Sequence, residues 1–229
     1  MPYEVSQDPK GQTTPIPWIV SELPRNRRAP ITRQRIETLS DLVFGLALSI
    51  GALTLVGKTP TTPADIRAEI FSFAFSFIIL ISVWTRYTRI MSVLRVETAA
   101  TMLLNIALLF LVSVEPYLFS LVSSVRTLSA LFDYATIVYS IDLAGLVGIL
   151  ALFTHLIIRE NKSMPASLMA QHRRTRNAYV VSACLFVIST LPQFLSWSVA
   201  GTPLRVLFWY VPLVVSWSLR IPSIRKGKK

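Results

Sequence analysis

Apolar residues gather in six long runs, Ile36 to Val56, Arg67 to Tyr87, Thr98 to Val122, Leu128 to Ile158, Ala178 to Val199 and Pro203 to Ile221. Within each run they are contiguous and do not alternate in segments of about ten, which predicts helices and not barrel strands. About twenty residues at 1.5 Å each cover a bilayer core of about 30 Å. The expected fold class is therefore all-α, a polytopic membrane protein of six transmembrane helices. The fourth run is too long for a straight span, so its start around Leu128 to Asp133 is expected to lie along the interface or to bend. Three regions follow: a polar tail over 1–34, a transmembrane domain over 35–222 and a basic tail over 223–229.

Composition agrees with that class. The chain is 52% hydrophobic and 15% charged, with a mean hydropathy of +0.54. A chain of 229 residues could not bury so much apolar surface within a water-soluble core. Of its 23 basic residues, only Lys58, Arg67, Arg126 and Arg205 fall on the side opposite the two termini. By the positive-inside rule this places both termini in the cytoplasm, in keeping with an even number of spans. The net charge of +11 is then explained by residues flanking the spans, which attract anionic lipid head groups. They form no continuous surface that would read a nucleic acid. Residues 1–34 contain no apolar segment of the signal-peptide kind, and Cys184, alone, reads as packing.

The first run has a charged end and an apolar body. Placed on a wheel at about 100° per residue, Leu42, Leu46, Ser49, Leu53 and Val56 fall within an arc of about 80°. Gly45 and Ala52 flank this stripe on the side of Asp41, and Ser40, Ala47 and Gly51 lie at the back. Small residues so spaced let membrane helices approach closely, so the helix is expected to be surrounded by protein. The stripe itself has two readings: a packed core seam, or a pore in which symmetry-related leucines form an apolar constriction beside a ring of Ser49 hydroxyls. Periodicity alone does not choose between them.

Arg35, Leu39, Ser40, Asp41 and Gly45 occupy the positions of R-x-x-x-F-S-D-x-x-x-A, the signature that opens the first helix of the transmembrane protein 175 family, potassium channels of endosomes and lysosomes with bacterial and archaeal relatives. Leu39 replaces the phenylalanine and Gly45 the alanine, while the charged and hydroxyl positions match. Trp84 and Asn105 resemble the family's tryptophan and asparagine on the second and third helices, although Arg86 and Tyr87 follow the tryptophan where members often carry a histidine. The resemblance implies a potassium-permeable channel of the six-span bacterial branch, in the plasma membrane of a prokaryote, assembled as a homotetramer around four first helices. It implies Leu46 as the constriction, Ser49 as the adjacent hydroxyl layer, and Leu42 and Leu53 along the same path. It further implies Arg35, Ser40, Asp41, Trp84 and Asn105 as supports of the pore helix, with Asp41 accepting from Arg35 and Trp84. Partners are then other copies of the chain, anionic lipid and transient potassium ions, with no cofactor and no resident metal. No T-V-G-Y-G segment occurs, so a filter of backbone carbonyls is not expected.

Other polar residues leave alternatives open. Asp142, mid-span in the fourth run, is a functional candidate or a satisfied interhelical group. Together with Asp41 it supports the alternative of a proton-coupled or other secondary transporter; a non-conducting scaffold is a second. Glu115 beside Pro116 reads as an acid near the outer surface. Pro192 and Pro212 are expected to bend the last two spans, and Trp197, Phe208, Trp209, Tyr210 and Trp217 to form an interfacial, lipid-facing belt. His155 and His172 are not spaced as metal ligands, and no enzymatic constellation is recognisable, including the motifs of an intramembrane aspartyl protease.

Overall fold

The computed structural model describes residues 25–56, 61–94, 98–124, 129–161, 163–199 and 202–212. Five long helices follow one another: α1 Arg25–Val56, α2 Pro63–Met91, α3 Ala99–Ser124, α4 Ala130–Glu160 and α5 Ala166–Ile188. After them come a four-residue helix α6 Gln193–Ser196, a two-residue pairing of β1 Ser198–Val199 with β2 Thr202–Pro203, and a short helix α7 Leu204–Phe208.

The helix starts are encoded locally. Thr62 caps α2 in a reciprocal box, its Oγ1 accepting from Asp65 N at 3.2 Å while Thr62 N donates to Asp65 Oδ2 at 2.8 Å, and Pro63 opens the first turn. Ser129 caps α4 by accepting from Phe132 N at 3.1 Å. From there α4 runs unbroken to Glu160, roughly 46 Å at 1.5 Å per residue. The first turn of α4 carries Asp133, the partner of a buried arginine.

Among the described residues, four helical segments are long and apolar enough to cross a membrane: 34–53 within α1, and α2, α3 and α4 whole. The molecule is thus an integral membrane protein of helical-bundle class. Paired contacts show the long helices running antiparallel in sequence, with Gly51–Phe73, Tyr87–Asn105 and Leu111–Gly145 complementing those that follow. Ser40 of α1 meets Tyr87 of α2, Ser76 of α2 meets Glu115 of α3, Glu115 meets Tyr139 of α4, and α4 meets α5 through both Ser140–Ser189 and His155–Arg176. The core lies between these helices, with Leu80, Leu108, Val112, Tyr139, Leu146, Leu150 and Phe153 fully enclosed.

Two expected elements differ. Helix α1 begins at Arg25, upstream of the expected start at Arg35, so the end of the expected tail is already helical. The fifth run, expected as one span from Ala178 to Val199, is helical only to Ile188 before the chain turns through Ser189 to Pro192, which N-caps α6. The first half of α5 is polar, with Arg173, Arg174 and Arg176, so the helix has only an apolar second half. Most of the sixth run, Trp217, the start of the fourth run at Leu128 and the tail over 223–229 lie outside the described residues.

Arg205 explains how the chain tolerates ending α5 inside an apolar run. It is fully buried, and its guanidinium donates to the carbonyls of Ser189 at 2.8 Å, Thr190 at 3.0 Å and Leu191 at 3.2 Å. It also donates to Thr136 Oγ1 at 2.9 Å and is ion-paired with Asp133 in the first turn of α4. Carbonyls freed by the helix break need partners, and one residue from α7 supplies them. Beside it, Trp209 is 1% exposed, donates to Ser140 Oγ at 2.9 Å and packs edge-on against Tyr139 at 4.9 Å between centroids. Trp209 is therefore core, not belt; Trp197 and Tyr210 remain exposed.

Candidate pore-helix site

Helix α1 has two faces. Ser40, Phe44, Ala47 and Gly51, spaced by four, three and four residues, are buried against the rest of the chain. The small residues allow that approach: a Cβ at Gly51 would stand 3.7 Å from the ring of Phe73, and Phe44 packs on Tyr87 with centroids 5.8 Å apart. On the opposite face Leu42, Leu46 and Leu53 are 67%, 58% and 65% exposed. Ser49 is exposed with them, its hydroxyl donating back to Gly45 O at 2.8 Å, and a Cβ at Gly45 would meet nothing within 4 Å. Within the chain the leucine stripe is not a core seam. It is the face left over when the helix has packed.

At the N-terminal end of this apolar stretch, a chain of polar contacts ties α1 to two neighbours. Trp84 Nε1 donates to Asp41 Oδ1 at 2.9 Å. Ser40 Oγ donates to Ile36 O at 2.8 Å and lies 2.6 Å from Tyr87 Oη, which bonds Asn105 Oδ1 at 2.7 Å. Three helices thus meet through one tyrosine hydroxyl. Ser40, Tyr87 and Asn105 are buried, Trp84 is half-buried and Asp41 is exposed, facing a cavity of about 200 Å³ that Glu37, Tyr87, Thr88 and Ser92 also line. The hydrogen bond to Asp41 is charge-assisted, and it fixes the rotation of α1 about its own axis.

Of the five supports inferred from the resemblance, the geometry brings together Ser40, Asp41, Trp84 and Asn105. Arg35 stands apart: it is exposed, and no ion pair joins it to Asp41 among the described residues. Arg35 sits six residues before Asp41 on a continuous helix, a separation that sets the two about 120° apart around the axis and about 9 Å apart along it. Tyr87 was missed as a site residue. Its spacing was the available signal, since a polar aromatic three residues after Trp84 shares a helix face with it.

Deeper in the bundle lies a second polar cluster. Glu115, fully buried, accepts from Ser76 Oγ at 3.0 Å on both carboxylate oxygens and from Tyr139 Oη at 3.1 Å. It belongs to the core of the bundle and not to an outer acidic vestibule, because α3 continues past Pro116 to Ser124.

Residues 35–116 match the model of the family described as endosomal/lysosomal potassium channel TMEM175. The match begins at the arginine of the α1 motif and ends at Pro116 of α3, so it contains Asp41, Trp84 and Asn105 as well as the outward leucines. Over that stretch, about a third of the chain, the sequence is similar to this potassium-channel family. No curated protein and no solved structure matches the chain.

Proposed function

We propose that the protein is a potassium-permeable cation channel of the plasma membrane of a prokaryote, with both termini cytoplasmic, formed by four copies that enclose a path between their α1 helices. Leu46 narrows the path, Ser49 offers hydroxyls to a partly dehydrated ion next to it, and Leu42 and Leu53 line it on either side. Trp84, Asp41, Ser40, Tyr87 and Asn105 hold α1 so that this face points to the shared axis. Arg35 is left out of that support.

One observation carries the reading. In a segment matched to a potassium-channel family, the helix packs through its small-residue seam and leaves Leu42, Leu46, Ser49 and Leu53 uncovered. A serine on an outward membrane face, with the exposed Asp41 about two turns before it, fits a hydrated path better than lipid, where polar groups are costly. Hydrophobic narrowing without a charged ring implies modest selectivity set by size and dehydration. The transporter alternative needs Asp41 and Asp142 on one route. Asp41 is exposed on α1, whereas Asp142 is buried in α4, and no contact joins them among the described residues.

The test is thiol block. In a Cys184→Ser background reconstituted in liposomes, Ser49→Cys should make potassium flux sensitive to small cationic thiol reagents, and Phe110→Cys, on an outward face of α3, should not. Equal insensitivity at both positions, with confirmed labelling of the thiols, would contradict the assignment of the path to α1.

A further inference from the structure

Among the described residues Asp142 is a buried carboxylate for which the fold supplies no hydrogen-bond partner. It sits near the middle of α4, roughly 18 Å from the helix start. It is 4% exposed, and neither carboxylate oxygen has a hydrogen-bond partner. One turn before it on the same face is Tyr139, whose hydroxyl donates to Glu115, and Asp142 is within electrostatic reach of both. Ser76 of α2 and Tyr139 of α4 both donate to Glu115 of α3, and Asp142 lies one turn along α4 from Tyr139, which gathers four oxygen-bearing side chains from three helices in one region. Two of them are carboxylates.

No described cation compensates this pair. Arg205 is engaged about two turns nearer the N-terminal end of α4, by Asp133, Thr136 and three main-chain carbonyls. Tyr210 is the other titratable group within reach of Tyr139, and it brings no positive charge. Two bare carboxylates enclosed among apolar side chains would be strongly unfavourable without a countercharge. Oxygen donors alone suit a hard, small cation.

We propose that Asp142 and Glu115, with Ser76 and Tyr139, form a site for a single small monovalent cation, an alkali-metal ion or a proton, inside each protomer and apart from the α1 face. Glu115 is oriented by its two donors, Ser76 and Tyr139, and the free oxygens of Asp142 complete the site. Occupancy ties α2, α3 and α4 together, so the cation stabilises the bundle that carries α1 without lying on the ion path.

The test uses the full-length protein in detergent and reads thermal unfolding, which does not depend on conduction. One series exchanges potassium or sodium for choline at fixed pH; the other varies pH at fixed potassium. For an alkali ion, the wild-type midpoint should rise by about 3 °C or more over a hundredfold increase in that ion, and Asp142→Asn should flatten the response. For a proton, the flattening should appear in the pH series, and the infrared carbonyl band of a protonated carboxylic acid should disappear in Asp142→Asn. Glu115→Gln provides the same comparison if Asp142→Asn does not fold. Wild-type and both variants responding in parallel in both series, with no carboxylic-acid band assigned to either residue, would overturn the proposal.

Discussion

The hydroxyl of Tyr87 stands 2.6 Å from the hydroxyl of Ser40, and through this contact the second helix holds the first at a defined rotation. Tyr87 then bonds Asn105 at 2.7 Å, so the third helix is joined in the same step. Replacing Tyr87 with phenylalanine keeps the ring packed on Phe44 and removes the bridge, leaving the buried Asn105 oxygen without that donor. The expected loss is about 1 to 3 kcal/mol of stability. Thermal unfolding of Tyr87→Phe beside wild type measures it, and an unchanged midpoint would show that the bridge is replaced by solvent.

Trp84 and Asp41 should behave as a pair. Their bond is charge-assisted but Asp41 is exposed, so water competes for the carboxylate. Trp84→Phe and Asp41→Ala are expected to be non-additive, with a coupling of about 1 kcal/mol in a double-mutant cycle. The same cycle between Arg35→Ala and Asp41→Ala should give a coupling near zero. A coupling for Arg35 as large as that for Trp84 would restore Arg35 to the support.

Removing the side chain of Arg205 should be far more damaging. Arg205→Met leaves the carbonyls of Ser189, Thr190 and Leu191 without their donor and strands Asp133. Asp133 is 39% exposed and can be hydrated, so the loss comes chiefly from the carbonyls left without a donor, about 1 to 3 kcal/mol for each one that stays buried. Arg205→Lys keeps the charge but not the planar fork that reaches several acceptors together, and should recover only part of the loss. Folding yield and unfolding midpoint distinguish the three forms. Equal stability of Arg205→Met and wild type would refute the role of this residue in closing α5.

Membrane helices disclose their depth more readily than their facing. The apolar runs were legible because bilayer thickness dictates their length, and the α1 motif was legible because its charges collect at one end of such a run. Which side of a run is packed is another matter, since apolar residues serve both core and lipid. The outward direction of Leu46 and the inward direction of Ala47 follow only once Phe44 meets Tyr87 and Gly51 meets Phe73. Glu115 and Trp209 were misplaced for the same reason: a proline neighbour and an aromatic-rich segment suggested the outer boundary, while tertiary contacts with Ser76, Tyr139 and Ser140 draw both residues inside. The break after Ile188 was hidden because hydropathy is continuous across it. Its compensation comes from Arg205, sixteen residues beyond Ser189, which no local pattern connects to it.

The most direct measurement of the channel reading is potassium flux into liposomes from wild type and Leu46→Ala, under an imposed potential and without a proton gradient. Leu46 is the bulky residue of the outward stripe next to Ser49, so shortening it should widen the path and raise passive flux several-fold, with a weaker preference for potassium over sodium. No flux from intact oligomers of either form at any potential would contradict the channel account. So would flux that leaves Leu46→Ala and wild type indistinguishable.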